Sequence, residues 1–280
     1  MSKGYQYADA RFIDYELYEL PGVAGTFRGP PVNGRDYIAC VGAAQTFGRF
    51  VEMPYPRLLS HALGLEALNL GRGGAGPTFP LSSPALTEYI NRARMVIVQV
   101  FSGRSQSNSL FRIAGHGMRG VNLGDGSESS ADDFYCWLLG QEEQTARRIV
   151  AETRENYVAS MTRLLEAIEP PKILFWFSVR EPAYQEQWQL PLQRLWGEFP
   201  QLVNQPMVDQ LRSRCDAYVE CVSRRGLPQL LRERFGSTLK VTDALSVQGE
   251  NRYYPSPEMH EDAATLLTPV CRDLIAGRRE

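Results

Sequence analysis

The sequence lacks any apolar stretch long enough to cross a bilayer. Its longest apolar run, Met95–Phe101, includes Gln99 and is far short of the roughly 20 residues a spanning helix needs. The N-terminal segment has no apolar core of the kind a secretory leader carries, so none is predicted. Charge of one sign is also lacking. The 30 basic and 32 acidic residues leave a formal net charge of -2, so no global field draws the chain to nucleic acid or to an anionic membrane. Cys40, Cys136, Cys215, Cys221 and Cys271 are odd in number and show no C-x-x-C spacing. That predicts reduced thiols in a cytoplasmic protein, with neither a disulfide framework nor a metal site. Internal repeats and low-complexity tracts are absent.

What is present suits a globular α/β chain. Hydrophobic residues make up 43% of 280 positions, enough for one large domain or two small ones. Proline and glycine punctuate the first residues (Leu20-Pro21-Gly22, Gly29-Pro30-Pro31, Asn33-Gly34), which predicts an N-terminal arm of loops over 1–36. The remaining residues, 37–280, are expected to form a single domain. Short apolar runs at Tyr37–Val41, Ala67–Leu70, Met95–Phe101, Lys172–Phe177 and Leu239–Ala244 read as buried parallel strands. Helical patterns fall at Tyr55–Leu63, Pro84–Arg94, Asp132–Leu139, Gln141–Ile168, Met207–Cys221 and Leu227–Arg234. A last helix opens at Ser256-Pro257, an N-cap residue followed by proline. The stretch from Ser102 to about Ser130 reads as a long Gly/Ser-rich loop, and 102–140 as an insertion that could act as a lid. Five strands joined by helices imply a doubly wound, flavodoxin-like five-stranded parallel sheet with helices on both faces. Ligands of such sheets bind beyond the carboxyl ends of the strands. That points to the loops after Val41, Leu70, Phe101, Phe177 and Ala244.

The first of these loops, Gly42-Ala43-Ala44-Gln45-Thr46-Phe47-Gly48-Arg49, does not fit a Walker A motif, because five residues separate its glycines and no Lys-Ser/Thr pair follows. It resembles the first block of SGNH/GDSL hydrolases, in which Gly-Asp-Ser is followed closely by Thr and Gly. Gly42, Thr46 and Gly48 fit, with Ala43 and Ala44 in place of the Asp and the nucleophilic Ser. Leu68-Asn69-Leu70-Gly71 with Gly74 is similar to the second block, whose glycine N–H helps to build the oxyanion hole. Where the third block has an asparagine, this chain has Ser102-Gly103-Arg104. The last block, Asp-x-x-His-Pro, aligns with Asn251-Arg252-Tyr253-Tyr254-Pro255. The resemblance spans residues 37–276. It implies an SGNH-like fold and, at the three triad positions, Ala44, Asn251 and Tyr254.

Those substitutions matter chemically. An alanine methyl cannot attack an ester, and a phenol of pKa near 10 is a poor general base at neutral pH. Thr46, two residues past the nucleophile position, and His260, a turn into the last helix, are the substitute hydroxyl and imidazole. Their competing readings are a loop residue and a surface histidine. His61 and His116 have no acidic neighbour in sequence. A second pattern is cationic: Arg49, Arg72, Arg104 and Arg180 each follow a predicted strand end. With Gln45, Asn69, Gly71, Gly74 and Tyr254 they would line a pocket for a phosphate, sulfate or carboxylate, unless local acids pair with them.

Three functions remain open from sequence. The first is a non-hydrolytic domain that binds a polar or anionic ligand, carbohydrate-like or nucleotide-like. The second is a transferase using an activated sulfuryl, phosphoryl or nucleotide-linked donor. The third is an ester hydrolase or acyltransferase with a rearranged Thr46–His260 site. The sequence names no cofactor and no oligomeric state.

Overall fold

The computed structural model describes residues 5–34, 36–115, 117–232, 246–247 and 249–277. In chain order, the arm holds α1 (Tyr5–Ala8), a 3-10 turn (Asp9–Arg11) and a short ladder of β1 (Tyr18–Glu19) with β2 (Thr26–Phe27). There follow β3 (Tyr37–Gly42), α2 (Ala44–Phe47), α3 (Tyr55–Leu63), β4 (Glu66–Gly71), α4 (Pro84–Asn91) and β5 (Val96–Gln99). An antiparallel sheet of β6 (Phe111–Ile113), β7 (Arg119–Asn122) and β8 (Glu128–Ser130) precedes α5 (Ala131–Leu139) and α6 (Glu143–Ala167). The rest comprises β9 (Lys172–Ser178), α7 (Gln193–Trp196), α8 (Gln205–Arg212), β10 (Ala217–Val222), β11 (Gln229–Leu230), β12 (Ser246–Val247), β13 (Glu250–Asn251) and α9 (Pro257–Ala276).

The central sheet runs β10-β9-β5-β3-β4, with every pairing parallel. In order of appearance this is 2-1-3-4-5, the flavodoxin-like order, whose switch point lies between β3 and β5. Alternate residues of the same strands serve opposite faces. Ala39, Val41, Val96, Val98, Leu174 and Trp176 pack with Leu86 of α4, with Tyr157, Met161 and Leu164 of α6 and with Val208 of α8. Ile38, Cys40, Ile97, Ile173, Phe175 and Phe177 pack with Leu59 of α3 and with Met259, Ala263 and Leu267 of α9. Each fully buried side chain of this kind contributes roughly 1.5–3 kcal/mol. The start of α9 is as its sequence implies, with Ser256 Oγ accepting from Met259 N at 3.2 Å and proline at its first turn.

Three expectations change. The helix predicted over Met207–Cys221 ends at Arg212, and Ala217–Val222 is the fifth sheet strand. Its Ala-Tyr-Val-Glu-Cys-Val sequence alternates in burial, as an edge strand does, and the charged turn before it hides the break. No helix forms over 227–232, where the chain turns into β11; the predicted strand Leu239–Ala244 lies outside the described residues. The Gly/Ser-rich stretch after Ser102 is folded rather than an open loop. Phe111 and, from the following helices, Phe134, Tyr135, Leu138, Ile149 and Val150 join Leu195 and Trp196 in a satellite core. The strands there are only three or four residues long, too short for alternation to stand out in sequence.

Candidate functional site

The carboxyl ends of β3 and β4 are held against each other. Beyond Gly42 the chain turns at Ala43 into the single helical turn α2. A Cβ on Gly42 would sit 2.1 Å from Thr46 Oγ1, and one on Gly71 would sit 2.1 Å from the Phe47 backbone nitrogen, so both positions require glycine for close approach. Asn69 ties the two ends together. Its Nδ2 donates to Thr46 O at 3.1 Å, and its Oδ1 accepts from Gly71 N at 2.9 Å.

Thr46 is fully buried. Its hydroxyl donates to Gln99 Oε1 at 2.6 Å and lies 3.0 Å from the Tyr55 hydroxyl; Gln99 Oε1 also accepts from Ala43 N at 3.1 Å. His260 is buried as well, not at the surface. Its Nδ1 accepts from Tyr55 N at 3.0 Å, and its ring lies 6.0 Å from the Tyr55 ring and 5.2 Å from the Phe177 ring. Thr46 thus meets the phenol end of Tyr55 and His260 its backbone end. Burial first, and then the positive charge of Arg28, lower the imidazole to about 3, so it is neutral at physiological pH. An accepting Nδ1 places the proton on Nε2, which is buried with no hydrogen-bond partner.

Three of the four strand-end arginines are engaged within the protein. Arg49 contacts Asp9 through Nε at 2.7 Å and Nη2 at 3.1 Å, and donates from Nη1 to the Tyr254 hydroxyl at 3.1 Å. Burial works against its charge, but Asp9 and Tyr254 outweigh it and raise its pKa. Its guanidinium also lies 4.5 Å from the Phe50 ring and 4.8 Å from the Tyr5 ring. Arg180 donates to the carbonyls of Glu181, Pro182, Glu198, Pro200 and Val203. Arg104 pairs with Asp132 at 2.7 Å over the Trp196 ring. Arg72 differs: it is half-buried, lies 5.0 Å over the Phe79 ring and has no ionic partner among the described residues. Gly74, just beyond it, has a positive φ of 76° and approaches Gly117 and Met118. The structure therefore does not assemble the four arginines into one pocket.

Several residues of this region escaped the sequence reading. Asp9, the buried partner of Arg49, is 40 residues away in sequence. Tyr15 donates to Asp9 at 3.1 Å and accepts from Phe50 N at 3.1 Å. Arg28, fully buried, donates to the carbonyls of Phe47, Gly48, Val51 and Glu52, and burial lowers it to about 10. The only local signal was the aromatic and charged content of a segment that otherwise reads as loop. Asn251, at the aligned acid position, accepts from Tyr253 N and Tyr254 N and donates to Tyr254 O and Gln229 Oε1. It organises the turn before α9.

Beside this packed region a small cleft of about 40 Å3 opens near the ends of β3 and β9, lined among others by Gln45, Ser178, Phe199, Tyr253 and Met259. The Gln45 side chain is buried and its Oε1 has no partner. Gln99 Nε2, Ser102 Oγ and Gln201 Oε1, from β5 and the loops after β5 and β9, are likewise buried and unpartnered. Gln201 Nε2 donates to the Tyr253 hydroxyl at 3.0 Å, and Gly103 N donates to Gln201 O at 2.8 Å. Buried polar atoms are paired in the great majority of cases, so the unpartnered Gln45 Oε1 singles out this cleft; the other three atoms are not in its lining.

Among solved structures, the chain is similar to a protein described as an SGNH hydrolase from Slackia heliotrinireducens (17% identity, 83% of this chain and 97% of that one, TM-score 0.41). It is also similar to a lipase from a goat rumen metagenome (11%, 84% and 96%, 0.43) and to a catalytic mutant of an acetylxylan esterase from Geobacillus stearothermophilus (13%, 83% and 92%, 0.40). At these values the likeness is one of outline, and the assignment of the fold rests on the sheet order. No curated protein matches the sequence. A family profile matches residues 3–118 and 137–275, and the chain belongs to that family, the domain of unknown function DUF6473.

Proposed function

We propose that this is an SGNH-like domain without the Ser-His-Asp triad, which binds a small polar ligand in the cleft near the carboxyl ends of β3 and β9. The observation that carries the reading is the buried, unpartnered Gln45 Oε1 on the cleft wall. A volume of about 40 Å3 admits one small group, since a water molecule takes about 30 Å3 of liquid. A carboxamide or hydroxymethyl end would supply the donor that Gln45 Oε1 lacks.

Hydrolysis is disfavoured by three features. Ala44 offers no nucleophile. The Thr46 hydroxyl already donates to Gln99 Oε1. An imidazole at about 3 is a far weaker base than the near-neutral pKa that acyl transfer uses. The anionic-donor transferase keeps one favouring observation, the Arg72 guanidinium beside Gly25 and the Phe79 ring, with no ionic partner among the described residues.

Thermal unfolding in the presence of acetamide, glycerol, xylose or sulfate separates the readings. A saturable rise in Tm with a neutral probe, lost in Gln45→Leu, is expected. A rise with sulfate alone that disappears in Arg72→Ala would transfer the site to Arg72. No rise with any of the four contradicts both readings.

A further inference from the structure

A larger cleft lies away from the strand ends, between the β6–β8 sheet and α5, with a volume of about 460 Å3. Its wall is Trp137, a large apolar side chain left 51% exposed. The indole is tilted against Phe134 at 5.8 Å, and Phe134 stacks on Phe111 at 4.6 Å. Phe134 and Phe111 are buried in the satellite core. Packing thus accounts for the two phenyl rings but not for the open face of the indole.

The polar lining is one-sided in charge. Asp125 and Asp133 line the cleft, and among the described residues no lysine, arginine or histidine does. Donors from Ser127 hold the Asp125 carboxyl below the usual carboxylate range, and donors from Ser130 do the same for Asp133, with Arg119 a lesser influence. Of the arginines near the start of α5, Arg104 is paired with Asp132, and Arg119 lies opposite Ser130 in the β7–β8 ladder. Asn122 Nδ2 donates to the hydroxyls of Ser127 and Ser129, and Ser127 Oγ donates to Asp125 Oδ1. Asn122 Oδ1, Asp125 Oδ2 and Asp133 Oδ1 accept no hydrogen bond among the described residues, and the Trp137 indole N–H donates none.

We propose that this cleft is a binding site for an organic cation, an alkylammonium with a small apolar body, recognised by the face of Trp137 and the carboxylates of Asp125 and Asp133. An ammonium supplies the positive charge that the lining lacks and donors for its carboxylate oxygens, and an indole face is the strongest aromatic partner for a cation. An anion would meet two like charges. A neutral polyol would supply donors but leave the charge uncompensated. The residues 119–136, which provide most of the lining, fall in the gap of the family profile, so the site belongs to a segment outside the shared pattern. It uses no residue of the strand-end cleft and stands or falls independently of it.

The test is a titration of the full chain followed by the indole N–H resonance of Trp137, identified by its loss in Trp137→Phe. Butylammonium chloride should shift it saturably, 1-butanol should bind about tenfold more weakly, and Asp125→Asn should weaken butylammonium by about three- to tenfold. Asp125 is fully exposed and its amide analogue can still accept from Ser127, so the variant should fold. Equal affinity for 1-butanol, a response to xylose but not to butylammonium, no saturable shift, or a butylammonium affinity unchanged in Asp125→Asn would each overturn the proposal.

Discussion

The turn after β3 and the cleft beside α5 are both built on glycine-rich sequence following sheet strands, yet they end in opposite states. At Gly42–Gly48 the side-chain hydroxyl, the carbonyls and the neighbouring arginine are bound by other parts of the chain: Thr46 by Gln99, the carbonyls of Phe47 and Gly48 by Arg28, and Arg49 by Asp9 and Tyr254. Beside α5 the aromatic face and several acceptors remain open to solvent. The difference comes from the N-terminal arm. Phe12, Ile13 and Tyr15 pack with Ala44, Phe47, Phe50 and Tyr254 in one cluster, so the turn after β3 is here part of a core. A glycine-rich turn at a strand end is only an opportunity for chemistry; what covers it decides the use.

Breaking the arm's clamp should give the largest effect. Arg49→Ala leaves the Asp9 carboxylate buried without its cation, and removing one partner of a buried pair costs about 3–5 kcal/mol. Urea unfolding should show a loss of that size; a loss below about 1 kcal/mol would mean that the arm does not depend on the pair. Arg28→Met comes next. It deprives four carbonyls of a donor, and with buried acceptors left unsatisfied a loss of about 2–4 kcal/mol is expected by the same measurement.

The pH dependence sharpens the contrast between a buried and a solvated histidine. The folded pKa of His260, at about 3, lies below its ordinary 6.5, so between these values the unfolded chain binds the extra proton. The stability contribution is complete above about pH 6.5 and declines as pH falls toward 3, at a slope of at most about 1.4 kcal/mol per pH unit. Comparing urea midpoints of the wild type and His260→Gln over this range should show a flatter profile in the variant. Parallel profiles would place His260 in water. The smallest effect belongs to Arg72→Ala. Because it has no ionic partner among the described residues, its removal should change stability by no more than about 0.5 kcal/mol, in contrast to Arg49.

Much of the fold could be read from the sequence because the central strands are continuous apolar runs and α6 and α9 carry long amphipathic stripes. β10 escaped because it is an edge strand with a charged turn before it, and the β6–β8 sheet because its strands are shorter than the period they must reveal. The site was legible only in outline. Gly42, Asn69 and Gly71 stood out because close backbone approach dictates residue type locally. The fates of Arg49 and Arg180 did not. Their partners, Asp9 and a run of carbonyls between Glu181 and Val203, are set by tertiary packing rather than by nearby sequence. His260 sits one turn inside a well-marked helix, but which face of that turn is buried depends on Tyr55 and Phe177, contributed by α3 and β9.

The most direct test of the central claim is hydrolysis of p-nitrophenyl acetate by the wild type, Thr46→Val and His260→Gln. The account predicts no saturable turnover by the wild type and the same background rate in both variants. Saturable hydrolysis that either substitution abolishes would contradict it.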